Sequence, residues 1–76
     1  MEVKIYTTST CPYCQMAKAF MKENGIEFQE INVAEDQQAL TQMVQKSGQM
    51  GVPVIEIDGQ IVVGFDRPKL AQLLGI

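Results

Sequence analysis

Hydrophobic and polar positions change their period several times along this chain, and each change marks an element. Val3 to Thr7 carries the strand formers Val3, Ile5 and Tyr6, and it runs into a polar loop, Thr7-Thr8-Ser9-Thr10. The period then lengthens. Tyr13, Met16, Ala17, Phe20 and Met21 recur at the spacing of one helical face, which predicts a helix with that stripe buried. Asn24-Gly25 supplies its stop. Cys11 falls at or beside the N-cap and Pro12 at the first helical position, where a missing N–H costs nothing.

A second strand is expected over Ile26–Val33, where Ile31 and Val33 alternate with Glu30 and Asn32. Ala34-Glu35-Asp36 reads as the opening of a second helix with acid in its first turn. Ala39, Leu40, Met43 and Val44 form its apolar stripe, and Gly48 ends it. Strand, helix and strand in this order imply a βαβ unit with parallel strands.

The second half changes character. Pro53–Ile57 reads as a short strand, Asp58-Gly59 as a two-residue hairpin turn, and Gln60–Val63 as the returning strand. Gly64-Phe65 leads into a third helix capped by Asp66 or Arg67, with Pro68 in its first turn. Leu70, Leu73 and Leu74 face inward there, and Gly75 closes it. The fold class is therefore α/β: a four-stranded mixed sheet in βαβ–ββα order, with three helices spread over both faces and one domain spanning 1–76.

Composition narrows what such a domain does. The 76 residues are 46% hydrophobic and 20% charged, ordinary values for a globular chain with a modest core. The net charge is −3 and the basic residues are scattered, so neither nucleic acid nor an anionic membrane surface is an expected partner. No apolar run exceeds three residues, as at Ile61-Val62-Val63, far short of the ~20 that span a bilayer. Met1-Glu2-Val3-Lys4 enters strand-like sequence without a secretory leader pattern, which places the expected location in the cytoplasm. Met16, Met21 and Met43 are expected to fill the core, and Met50 to pack as a loop residue.

The two cysteines, Cys11 and Cys14, carry the candidate chemistry. A pair of thiols separated by two residues, at a strand-to-helix junction, reads as a redox dithiol. A helix N-terminus presents unpaired N–H groups and the positive end of the macrodipole. A thiol there falls from about 8.5 into the range of roughly 3.5–7.5 and becomes nucleophilic at neutral pH. A structural zinc site needs four ligands, and two cysteines without a histidine do not supply them in one chain. No metal or bound cofactor is expected.

With Cys11-Pro12-Tyr13-Cys14, Gly51-Val52-Pro53 and Gly64-Phe65-Asp66 in this order, the chain resembles the glutaredoxin family, a branch of the thioredoxin fold, over its whole length. The resemblance implies that Pro53 follows a cis peptide bond and faces the dithiol, leaving the Val52 backbone free to pair with an extended peptide or glutathione. It implies that Cys11 is the attacking thiol and Cys14 the resolving one, the two closing a redox disulfide. Tyr6 and Tyr13 match aromatic positions flanking the family's site, and Gly64 and Asp66 match positions that cap a glutathione γ-glutamyl group. The implied activity is that of a thiol–disulfide oxidoreductase acting on protein disulfides or glutathione mixed disulfides, as a monomer, with glutathione as co-substrate. Activation of the thiol is left to the helix end and nearby N–H groups, with Lys18 a weaker candidate.

Departures from the family pattern concern the electron donor. A lysine is common three residues before the first cysteine, and here that position is Thr8. Gln49 stands where a basic or amide side chain contacts glutathione, but the usual threonine two residues later is Gly51. Gly64-Phe65 followed by Arg67-Pro68 resembles instead the redoxins that serve ribonucleotide reductase and draw electrons from thioredoxin reductase. The donor expected is thus glutathione or thioredoxin reductase. The other class implied by the resemblance is a glutathione-bridged iron–sulfur or metal carrier dimer without redox turnover.

Overall fold

The computed structural model describes residues Met1–Ile76. β1 (Val3–Thr7) pairs on both edges and so forms the spine of the sheet. It runs parallel to β2 (Gln29–Asn32) and antiparallel to β3 (Val54–Ile57), and β3 in turn pairs antiparallel with β4 (Gln60–Val63). The order across the sheet is β2-β1-β3-β4. Three helices complete the fold: α1 (Pro12–Glu23), α2 (Gln37–Ser47) and α3 (Arg67–Leu74).

Strand alternation decides what each face buries. Ile5, Ile55 and Val62 stand side by side in register and pack with Ala17 and Met21 of α1 and Leu70 and Leu74 of α3. One residue along, Tyr6 and Val54 turn to the other face and meet Val33 with Ala39 and Met43 of α2. The sheet is therefore covered on both sides, as the βαβ–ββα pattern leads one to expect. The Asp58-Gly59 turn is a primed hairpin, with φ of 48° and 87°, a conformation that asparagine, aspartate and glycine tolerate best.

Several expected boundaries move. β2 begins at Gln29 rather than Ile26, because the Ile26 N–H donates to the Met21 carbonyl and finishes the end of α1 instead. Ile26 and Phe28 are still used, packed against the α1-side core. β3 starts at Val54, one residue after Pro53, which has no N–H for the ladder. Ala34, Glu35 and Asp36 do not open α2. The N–H groups of Glu35 and Asp36 donate to the Asn32 carbonyl in a turn, and Asp36 caps the helix by accepting from the Ala39 N–H at 3.0 Å. The acid stands at the cap, not inside the first turn.

The buried stripe of α1 is also rotated from the expected one. Cys14, Ala17 and Met21 are its buried residues, while Tyr13 is 61% and Met16 49% exposed. A helix turns about 100° per residue, so placing Cys14 fully inward carries Tyr13 and Met16 out of the core. Met21 and Met43 do fill the core, but Met16 does not, and Met50 in the loop after α2 is 69% exposed.

Candidate active site

The site forms where the β1–α1 loop meets the segment entering β3. Cys11 is the N-cap of α1, with extended backbone (φ −100°, ψ 108°), and Pro12 occupies the first turn. Its sulfur does the work usually given to a serine or aspartate oxygen: Sγ accepts from the Cys14 N–H at 3.1 Å. The Gln15 N–H donates to the Cys11 carbonyl at 3.2 Å and starts the helical ladder. Cys11 and Cys14 are joined as a disulfide, with Cα atoms 5.2 Å apart. Cys14 is wholly buried, whereas Cys11 retains 8% of its surface, so any partner reaches Cys11 first.

Val52 and Pro53 complete the site from far along the chain. Their peptide bond is cis, and the Val52 carbonyl oxygen lies 3.7 Å from Cys11 Sγ. The Val52 N–H donates to no atom of the protein. The Pro53 carbonyl accepts from the Gly64 N–H at 2.8 Å, which ties the turn after β4 to the same segment. Gly64 has φ +77°, so a side chain there is strained. Asp66 caps α3, its Oδ1 accepting from the Lys69 N–H at 3.2 Å, and it is exposed. Tyr13 projects into solvent from the turn between the two cysteines.

Other residues singled out in the sequence are engaged elsewhere. Tyr6 is buried in the α2-side core, its hydroxyl 3.5 Å from Lys46 Nζ. Lys18 Nζ is held by Glu30 at 2.8 Å, an acceptor shared with the Thr7 hydroxyl, so its charge is committed to a carboxylate and not to a thiolate. The lysine's hydrogen bond keeps the Glu30 carboxyl below its ordinary value of 4.5, against the opposing effect of burial. On the other face, the hydrogen bond from Lys46 to Glu56, at 2.8 Å, raises the lysine above its ordinary 10.5.

Gln49 is the contact that sequence reasoning missed. Its carboxamide folds back on the chain, Oε1 accepting from the Gly51 N–H and Nε2 donating to the Gly51 carbonyl at 2.9 Å. The signal available was Gly51 itself, standing where the family carries a threonine. Phe20, Phe65 and Arg67 form a second surface group, with the two rings edge to face at 6.0 Å and the guanidinium 5.4 Å above the Phe20 ring. No group of three or more His, Cys, Asp or Glu residues is arranged to hold a metal ion. No helix is long and apolar enough to cross a membrane.

This geometry has counterparts among known proteins. The family model described as Glutaredoxin matches residues 3–62. A glutaredoxin-like 8.6 kDa protein encoded in the rubredoxin operon of Clostridium pasteurianum is 44% identical over 72 residues, which are 95% of this chain and 96% of that protein. Among solved structures, a mutant of the thioredoxin-like protein BC3987 superposes with a TM-score of 0.93 at 33% identity, covering 99% of this chain and 96% of that one. The glutaredoxin-like NrdH-redoxin of Escherichia coli, described by its thioredoxin-like activity profile, gives a TM-score of 0.83 at 30% identity, covering 97% and 95%. With a thioredoxin-like fold and a cystine at the N-cap of its first helix, the chain belongs to the glutaredoxin family.

Proposed function

We propose that this protein is a dithiol–disulfide oxidoreductase that reduces protein disulfides or glutathione mixed disulfides, with Cys11 as nucleophile and Cys14 as resolving thiol. The observation that carries this is the placement of Cys11: it is the less buried residue of the pair, its Sγ accepts from a helix N-terminal N–H, and it faces the Val52 carbonyl. A thiolate there is stabilised by the same N–H and by the helix end. It attacks one sulfur of the substrate disulfide, forms a Cys11 mixed disulfide and expels the other sulfur as a thiolate. The Cys14 thiolate then attacks Cys11 Sγ, releases the second substrate thiolate and leaves the Cys11–Cys14 disulfide. Two electrons have passed to the substrate, and an external dithiol or two monothiols return them.

Val52, Pro53, Tyr13, Gly64 and Asp66 line the approach in this proposal. The unpaired Val52 N–H and its carbonyl receive an extended peptide as a short strand addition. Tyr13 offers an exposed ring beside the dithiol, and the N-terminus of α3 with Asp66 is suited to the charged end of a small peptide. Glutathione, where it takes part, is a diffusing co-substrate, with no bound cofactor, and the reaction belongs to a cytoplasmic monomer.

Two donors fit the family, glutathione and thioredoxin reductase. Thr8 brings no cation, and the Gln49 carboxamide is occupied by Gly51, so two positions directed at glutathione are weakened. Thioredoxin reductase is therefore favoured. The test offers oxidised protein NADPH with thioredoxin reductase, or glutathione with its reductase, and follows insulin disulfide reduction. Turnover in the first system is expected to exceed that in the second. Failure in both, with Cys14→Ser trapping no mixed disulfide on Cys11, overturns the oxidoreductase reading. Iron at about half an equivalent per chain after anaerobic purification, with a visible chromophore, would favour the carrier class instead.

A further inference from the structure

Gly51 is a glycine that its own backbone does not require. Its φ lies outside the left-handed region that Gly25, Gly48, Gly59, Gly64 and Gly75 all occupy. The requirement comes from a neighbour: a Cβ on Gly51 stands 2.7 Å from Gln49 Oε1, the far end of a flexible side chain. Glycine at 51 and the folded-back carboxamide of Gln49 are thus one device. The carboxamide takes both the N–H and the C=O of Gly51, the two groups that a strand neighbour takes from a residue in a ladder. Ser47 supports it, its hydroxyl lying 3.5 Å from Gln49 Nε2 and 3.0 Å from the Gln49 carbonyl. The next residue is Val52, whose N–H is unpaired and whose C=O faces Cys11.

We propose that Gln49 is a positioning residue for substrate backbone, bracing Gly51 so that the Val52 peptide groups are held in place beside Cys11. It touches neither sulfur, and it acts through Gly51 and Val52. Glycine is the residue that loses most freedom on ordering, and the segment between Gly48 and Pro53 has no ladder of its own. Without the carboxamide, each docking event must order that segment anew. The inference rests on the disulfide-exchange reading above, and its test needs no electron donor.

Prereduced protein is mixed in single turnover with an extended peptide disulfide, and with the aromatic disulfide DTNB, which has no backbone to pair. For Gln49→Ala, the half-saturating peptide concentration is expected to rise about three- to tenfold, the range that one or two net hydrogen bonds supply, with the saturating rate held. Gly51→Ala expels the carboxamide by its Cβ and is expected to give the same rise. The double variant is expected to be no worse than either single one, because both remove one interaction. Gln49→Glu keeps the acceptor for the Gly51 N–H and loses the donor, so it recovers part of the effect. Hydrogen exchange at the Gly51 N–H reads the brace directly, slowed in the parent protein and released in Gln49→Ala.

An unchanged half-saturating peptide concentration, additive effects in the double variant, or an equal loss toward DTNB each overturns the positioning role. Rapid exchange at Gly51 in the parent protein removes the brace itself. Absence of any reaction between the reduced parent protein and DTNB or peptide disulfide would instead be the failure of the oxidoreductase reading, and it is recognised before any variant is made.

Discussion

The two sulfurs occupy different environments, and replacing each by a hydroxyl separates chemistry from stability. Cys11 Sγ caps α1 by accepting from the Cys14 N–H, and serine is among the best residues at that position. Cys11→Ser therefore abolishes disulfide reduction while holding the stability of the reduced parent protein to within about 0.5 kcal/mol, whereas Cys11→Ala loses activity and about 1 kcal/mol of cap. Cys14 is wholly buried. A hydroxyl there must find a partner, and the carbonyl of Cys11, one turn back, already receives the Gln15 N–H. A buried hydroxyl without a full partner costs about 1–3 kcal/mol. At about 4–8 °C per kcal/mol for a domain of this size, Cys14→Ser lowers Tm by roughly 5–20 °C. Thermal unfolding followed by circular dichroism, with every sample kept reduced by a phosphine, gives the comparison, because the parent protein then also lacks its cross-link. Cys14→Ser nonetheless retains the first half-reaction and accumulates a mixed disulfide visible by mass. If Cys11→Ser proved the more destabilised of the two serine variants, the assignment of cap and core to these sulfurs would be wrong.

Met21→Ala is expected to cost about 2–5 kcal/mol in denaturant unfolding and Met16→Ala less than about 0.5, since the first side chain is fully buried and the second half-exposed; equal losses would refute the rotated helix face. The Lys18–Glu30 pair contributes a pH-dependent increment. Glu30 is held below 4.5 in the folded state, so its stabilisation is present above that value and is lost as the pH falls through the lowered one. Glu30 is exposed enough to limit the gain to under about 1 kcal/mol. Glu30→Gln should thus be less stable than the parent protein near neutrality, with the difference vanishing once the pH has fallen below the lowered Glu30 value. A difference that grew on acidification would have the wrong sign.

Elements with local determinants were legible in the sequence. The caps at Cys11 and Asp66, the Asp58-Gly59 turn and the apolar segments of β1, β3 and β4 each rest on residues within a turn or a hairpin of one another. Errors fell where a local pattern was overruled. Ile26 has the look of a strand start, but the end of α1 takes its N–H. Met16 shares a helical period with Met21, but the depth of Cys14 sets the rotation of the helix and turns Met16 outward. Lys18 sits one turn beyond the dithiol on the chain, yet the pairing of β1 with β2 presents it with Glu30.

By itself, the sequence determined a two-faced α/β sheet, a dithiol at a helix N-terminus and, through resemblance, the redox family. Periodicity, capping residues and turn residues act over a few positions, and those features need nothing longer. Tertiary structure decided what faces the sulfurs: the resemblance names Val52 and Pro53, but no local pattern brings them there. Val52 reaches Cys11 from 41 residues away because β3 lies next to β1 in the sheet, so the segment entering β3 comes to rest beside the loop leaving β1. The turning of Gln49 onto Gly51 depends in the same way on the path of the chain between α2 and β3. Strand order and chain path are set by which apolar faces can be buried together, and no local period encodes that.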